Sequence, residues 1–252
     1  MALRRSVGAC CGGSDPYSSL PLVPKTGPYE RGHSPTMSES SGSSGSGGPP
    51  IPNVALPVAL GVLVLLATAN QWSRAIIFYV VDFSKEAASK PDQFINVALG
   101  FDEASYGLLA SLAFSGLFAA TGLLAGAAVD RYDARSLLVV SGALWSGAML
   151  LQGHAASFGE LLGSRVLLGF SQAFTNPAAL CALAQIVPAQ NRATVNGAYS
   201  SAVYLGGGIA ALSVLIDGAL GWRGLSYLAG GVGLSLALLT FVRRSGARTR
   251  TI

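Results

Sequence analysis

The sequence predicts an all-α, polytopic membrane protein with six transmembrane helices. Of its 252 residues, 51% are hydrophobic and 11% are charged, whereas about 25% of residues are charged in a typical soluble domain. The mean hydropathy is +0.50, and the apolar residues form long runs. This composition excludes a chain that is disordered throughout and argues against a soluble enzyme. The apolar surface is expected to lie in a lipid bilayer.

The first part of the chain, residues 1–52, is rich in Ser, Gly and Pro. It cannot bury a core, so we expect a disordered cytoplasmic tail. It has no continuous apolar run, so we do not expect a secretory signal, and its acid-free start leaves an organellar transit peptide as an alternative. The six-helix unit is expected over residues 53–244, and residues 245–252 are expected to form a basic cytoplasmic tail or linker.

Six apolar segments follow the tail, each near or above the roughly 18 to 20 residues that cross a bilayer as a helix. A helix is favoured because it satisfies its own backbone polar groups, which lipid cannot do. The third segment is the shortest, and the 82–104 connection is long and acid-rich. The predicted spans are 54–81, 105–129, 136–153, 158–187, 193–216 and 222–242.

The distribution of Lys and Arg predicts the orientation of these spans. If the N-terminus is cytoplasmic, most basic residues lie on the cytoplasmic side, and only Lys85, Lys90 and Arg223 lie outside. Cytoplasmic loops carry an excess of Lys and Arg. Both termini are therefore expected to face the cytoplasm.

The loop between spans two and three carries a recognisable pattern. It reads Gly126-Ala-Ala-Val-Asp130-Arg131-Tyr-Asp133-Ala-Arg135, which resembles the G-x-x-x-D-R-x-G-R-R signature of the major facilitator superfamily. Asp133 stands where that family usually has Gly, and the following Ala stands where it usually has a basic residue. The resemblance implies a conformational-switch loop that braces the two halves of a transporter, made of Gly122, Gly126, Asp130, Arg131 and Arg135.

Other stretches strengthen the resemblance. Span four opens with Arg165-Val-Leu-Leu-Gly169 and continues to Pro177, which predicts a kink whose freed carbonyl Asn176 would satisfy. Gly-Trp-Arg at 221–223, before span six, is also frequent in this superfamily.

Span one reads Asn70-Gln-Trp-Ser-Arg74. This stretch and the acid-rich first loop are similar to spinster-type transporters, which are linked to lysolipid and sphingolipid export. Gln172 stands where the fourth helix of that subfamily often has an acid, so proton coupling through this position is in doubt.

The family fold pairs two six-helix halves, with the substrate site between them. The predicted spans resemble the N-terminal half of that fold. The sequence is therefore expected to be a fragment or an incomplete gene product. The alternative is that two halves pair as separate chains.

Two arginines lie within predicted spans, Arg74 in span one and Arg165 in span four. Each is seven residues from the outer end of its span, which is roughly 10 Å along a helix, so both are expected at one level. A charge inside a membrane costs roughly 2.5–3.5 kcal/mol on insertion scales and usually faces a cavity or partner. Two guanidinium groups suit an anionic group; the alternative is that both reach the interface.

The candidate substrate-binding residues are Arg74, Arg165, Asn70 and Gln172. Asn70 shares a helix face with Arg74, and Gln172 lies on a face similar to that of Arg165. For Asn70, a hydrogen bond to a neighbouring helix is the alternative.

The predicted function is secondary transport by alternating access, of an anionic lipid or an organic anion. The expected partners are the bilayer, a small-molecule or lysolipid substrate and a second six-helix half. The alternative is a truncated half that transports nothing and binds or regulates a full-length transporter. No catalytic residue, cofactor or metal site is expected, since Cys and His lack metal-ligand spacing. Nucleic acid is not an expected partner, because no basic stripe exists.

Overall fold

A computed structural model describes residues 55–248, and all the regular elements in that range are helical. This confirms the predicted all-α class. The predicted tail at 1–52 and the last residues, 249–252, lie outside the described range. The α-helices are α1 (Ala55–Ala75), α2 (Ile95–Leu99), α3 (Glu103–Gly107), α4 (Leu117–Arg131), α5 (Ala134–His154), α6 (Phe158–Gln172), α7 (Thr175–Ile186) and α8 (Arg192–Arg248).

Five helical segments in the described range are long and apolar enough to cross a membrane. The prediction of six spans differs from this count because α8 is continuous except at one residue, Gly221, which has φ 65° and ψ 171°. This break divides α8 into a first limb (residues 192–220) and a second limb (residues 222–248), which contain predicted spans five and six. The five segments are Pro57–Phe78, Glu103–Arg131, Ala134–His154, Phe158–Ile186 and Ala189–Val242.

The break in α8 is built from a glycine and the long first loop. The positive φ of Gly221 is a conformation that glycine adopts without a steric penalty. The backbone N–H of Trp222 donates to the carbonyl of Asp92 at 3.2 Å, so the loop is tied to the break. Asp82 and Asn96 close this loop, because the Asn96 amide accepts from the Asp82 N–H at 3.1 Å and donates to its carbonyl at 2.7 Å.

Predicted span four is interrupted before Pro177. α6 ends at Gln172 and α7 begins at Thr175, because proline lacks an N–H and its ring clashes with the carbonyl four residues earlier. Asn176 makes a contact that was not expected: its Oδ1 accepts a hydrogen bond from the Tyr199 hydroxyl at 2.9 Å. Asn176 therefore links α7 to α8, and its expected bond to a carbonyl freed by the proline stays a prediction.

The two limbs of α8 pack along different helices, the first along α1 and the second along α5. Gly206 makes the first contact possible, since a Cβ there would lie 2.6 Å from the carbonyl oxygen of Thr68. Gly233 has the same role in the second limb, where a Cβ would collide with the buried ring of Trp145. The neighbouring Gly207 has open space around it.

These contacts predict that Gly206→Ala destabilises the protein. The added methyl forces α1 away from the first limb, and overpacking of this kind costs about 1–3 kcal/mol. The free energy of unfolding in detergent would measure it. Gly207→Ala is the matched control, because it makes the same change one residue along the same helix in open space. Equal stability of the two variants would contradict this packing.

Candidate functional site

α1 and α6 meet through a chain of polar contacts that contains all four candidate substrate-binding residues. Arg74 Nε donates to Gln172 Oε1 at 3.4 Å, and Arg165 Nη1 donates to the backbone carbonyl of Arg74 at 3.5 Å. Gln172 Nε2 donates to the carbonyl of Asn70 at 3.1 Å and to Ser73 Oγ at 3.0 Å. The structure therefore brings Arg74 and Arg165 together, as their equal distances from the span ends led us to expect.

The Arg165 guanidinium is buried and incompletely hydrogen-bonded. Its side chain is 1% exposed, and neither Nε nor Nη2 has a hydrogen-bond partner within the described residues. Burying a charge without full hydrogen bonding is costly. The described residues therefore leave part of the hydrogen-bonding capacity of Arg165 unused.

A cavity of about 120 Å³ lies beside the two arginines. Arg74 and Arg165 both line it, and none of the lining residues is acidic. Asn70 and Gln172 do not line it, although they were grouped with the arginines. The other lining residues are Ile77, Phe78, Ala110, Phe114, Ser115 and Phe118.

The roles of Asn70 and Gln172 follow from their contacts. The Gln172 amide accepts a hydrogen bond from Arg74 and donates one to the backbone of α1, so it links α6 to α1. The side-chain oxygen of Asn70 takes no part in these bonds, and its Nδ2 is buried with no partner in the described range. Both residues support the cavity wall in this conformation.

Sequence reasoning missed the aromatic residues of the site. The Cζ of Arg74 lies 4.4 Å from the ring centroid of Phe118 and 4.9 Å from that of Phe114. The two rings are stacked, with centroids 5.9 Å apart and planes inclined by 17°. An apolar residue in an apolar span carries no functional signal, and the only hint available was the four-residue spacing of the two phenylalanines.

The predicted switch loop lies on the surface of the described unit. A Cβ added at Gly122 or Gly126 would meet nothing within 4 Å, so neither glycine is packed closely against another helix within residues 55–248. The three charged residues of the loop, Asp130, Arg131 and Arg135, are all exposed.

Asp133, which departs from the family pattern, has a local structural role. Its Oδ2 accepts from the N–H of Ser136 at 3.1 Å, so it is the N-cap of α5. The family's usual Gly is thereby replaced by a residue that starts the next helix.

Five helical segments in the described range that are long and apolar enough to cross a bilayer indicate an integral, multi-pass membrane protein. The sequence profile of the Major Facilitator Superfamily matches residues 54–251, and the chain belongs to this family. Its members are transporters and not enzymes.

Three curated relatives are transporters. A probable sulfoacetate transporter of Cupriavidus necator is 29% identical over 165 residues, 65% of this chain and 38% of the relative. Sugar transport protein 5 of Arabidopsis thaliana is 32% identical over 96 residues, 38% of this chain and 19% of the relative. A D-galactonate transporter of Escherichia coli is 28% identical over 148 residues, 58% of this chain and 34% of the relative.

A solved structure shares the fold. It is a bacterial homologue of the human lysosomal transporter Spinster, in an inward-facing and unoccupied conformation. The TM-score is 0.65 at 23% identity, over 76% of this chain and 43% of that one. The chain thus spans less than half the length of the relatives it matches.

The burial of Arg165 predicts that removing its charge stabilises the protein. Replacing buried, imperfectly paired charges by apolar side chains of similar volume is often neutral or stabilising, by about 1–4 kcal/mol. We expect Arg165→Met to raise the free energy of unfolding in detergent without added anions. The exposed Arg135 provides the control, and Arg135→Met should leave stability unchanged. A strong loss of stability in Arg165→Met would show that its charge is compensated.

Proposed function

We propose that this chain is part of a secondary transporter that moves a small organic anion across a membrane by alternating access. The observation that carries the proposal is the acid-free cavity between Arg74 and Arg165. Two cations face one space, and no lining residue neutralises them.

The hydrogen-bonding capacity of the arginines favours a carboxylate, sulfonate or phosphate. Such groups accept two parallel N–H bonds from a guanidinium, which gives geometric specificity as well as energy. Arg165 has two unpartnered nitrogens among the described residues. Sulfoacetate and galactonate, for which two of the relatives are named, are anions, whereas a neutral sugar would leave both cations uncompensated.

The cavity of this unit can hold a charged headgroup or a compact anion. Its volume is about 120 Å³, whereas sites that enclose drug-sized ligands have roughly 300–1,000 Å³. The tail of an anionic lipid would lie outside this space. We prefer the organic anion as the substrate class because two of the relatives are named as transporters of organic anions.

Alternating access requires a second six-helix half, and the exposed faces of this unit support one. Only 22% of an apolar 18-residue stretch in the Glu103–Arg131 segment is buried, and all of the switch loop except Arg135 lies in that segment. We propose that the second half packs on this face and that both termini are cytoplasmic, as the positions of Lys and Arg indicate. Lipid would cover the remaining apolar surface.

Uptake of anions is expected to depend on the shape of the Arg165 side chain as well as on its charge. Arg165→Lys keeps the charge but loses the paired N–H groups. Because a hydrogen bond to a charged group contributes about 1.5–3 kcal/mol, uptake efficiency for sulfoacetate or D-galactonate should fall roughly 10- to 100-fold. Uptake into liposomes, measured with the complete protein, would test this.

Arg223→Lys is the matched control for that experiment, since Arg223 lies outside the cavity and donates to the carbonyl of Gly153. It should retain uptake. Wild-type protein that carries neither anion, or an Arg165→Lys variant with full uptake, would contradict the proposed substrate class.

The open space around Gly126 predicts a transport defect without loss of stability. Gly126→Leu adds bulk where this unit has no neighbour but where the second half is proposed to approach. Transport should slow at least several-fold, while anion binding and thermal stability are retained. Gly147→Leu, on α5 and also in open space, is the control. Equal transport rates in the two variants would place the second half elsewhere.

A further inference from the structure

We infer that Phe114 and Phe118 are positioning residues, whose stacked rings fix the Arg74 guanidinium at the cavity wall so that an anion meets it already ordered. This inference rests on the proposed function. It assigns a role in substrate affinity to two side chains that make no polar contact and carry no charge.

The Arg74 guanidinium is held from two directions. Its Cζ lies over both rings, at 4.4 Å from Phe118 and 4.9 Å from Phe114. In addition, Nε donates to the Gln172 amide oxygen. Attraction between a cation and the negative face of a ring strengthens when both are removed from water. Arg74 has no carboxylate partner among the described residues. The two phenylalanine rings and the Gln172 amide therefore hold it in place of an ion pair.

The two arginines differ in what holds them. Arg165 is fixed by burial, being 1% exposed, whereas Arg74 is only partly buried and has a long, flexible side chain. Ordering such a side chain during binding lowers affinity, and ordering it beforehand avoids that loss. The rings hold Arg74 without neutralising it, because they leave its positive charge available to an anion.

The backbone of the second membrane segment brings Phe114 to this position. Residues Leu108–Gly116 form a π-helix, a rare conformation that is frequent at functional sites. The segment lies against α6, and a Cβ at Gly169 would be 2.6 Å from the carbonyl oxygen of Phe114. Gly169 thus allows the π-helical turn to approach α6 closely, next to the arginines.

A series of fluorinated phenylalanines at position 118 of the complete protein tests the inference. Mono-, di- and trifluorination progressively weaken the negative ring face while the ring keeps almost the same size. The probe is sulfoacetate, with D-galactonate as the second substrate. KM should rise with each fluorine, by about 2- to 5-fold in total, and kcat should change less than twofold.

A second readout follows Arg74 without any substrate. The ring current of Phe118 should shift the Nε–H resonance of Arg74 upfield, and Phe118→Leu should remove that shift. Trifluorination of Phe158 is the matched control, since its ring centroid lies 5.4 Å from that of Phe101 and no cation among the described residues lies over it. It should leave both KM and the Arg74 resonance unchanged.

The outcomes separate the inference from the proposed function. An unchanged KM across the series, or an Arg74 resonance that does not respond to Phe118, overturns the positioning role. If the wild type transports neither anion, the proposed substrate class fails. The Arg74 resonance then still decides whether the rings hold the guanidinium.

Discussion

A buried guanidinium that is only partly hydrogen-bonded is the constraint on which the site depends. Arg165 is almost completely enclosed, and two of its three nitrogens have no acceptor in the described chain. Selection for stability alone would favour an apolar side chain here. The residues around Arg165 do not compensate its buried charge. The side-chain oxygen of Gln172 accepts from Arg74 instead, and the phenylalanine rings beside Arg74 have no oxygen to accept a hydrogen bond. The positive charge at the cavity is therefore not compensated by any described residue that lines it.

Much of this arrangement could be predicted from the sequence because helices have a fixed rise. The distances of Arg74 and Arg165 from their span ends placed them at one level, and the structure joins them through the Arg74 carbonyl. The all-α class followed from the apolar runs, since only helices satisfy their backbone in lipid without closing a barrel. The interruption before Pro177 followed from the chemistry of proline.

The features that escaped prediction depend on contacts between distant segments. The π-helix at Leu108–Gly116 shifts the register that a regular helix would give, and this brings Phe114 beside Arg74. The sequence has many glycines and does not show which of them breaks a helix. The positive φ of Gly221 goes with a contact to a distant loop, where the carbonyl of Asp92 accepts a hydrogen bond from Trp222. Gln172 and Asn70 share helix faces with the arginines, but the direction of each side chain was decided by the neighbouring helix.

The most direct test is to locate an anion in the site by anomalous diffraction, with crystals of the complete protein soaked in selenate. Selenium marks the anion without depending on any assumption about the natural substrate. The account predicts an anomalous peak in the cavity, with selenate oxygens roughly 3 Å from nitrogens of Arg165 and Arg74. A carboxylate side chain from the rest of the protein paired with Arg165, with no selenate between the two arginines, would contradict it.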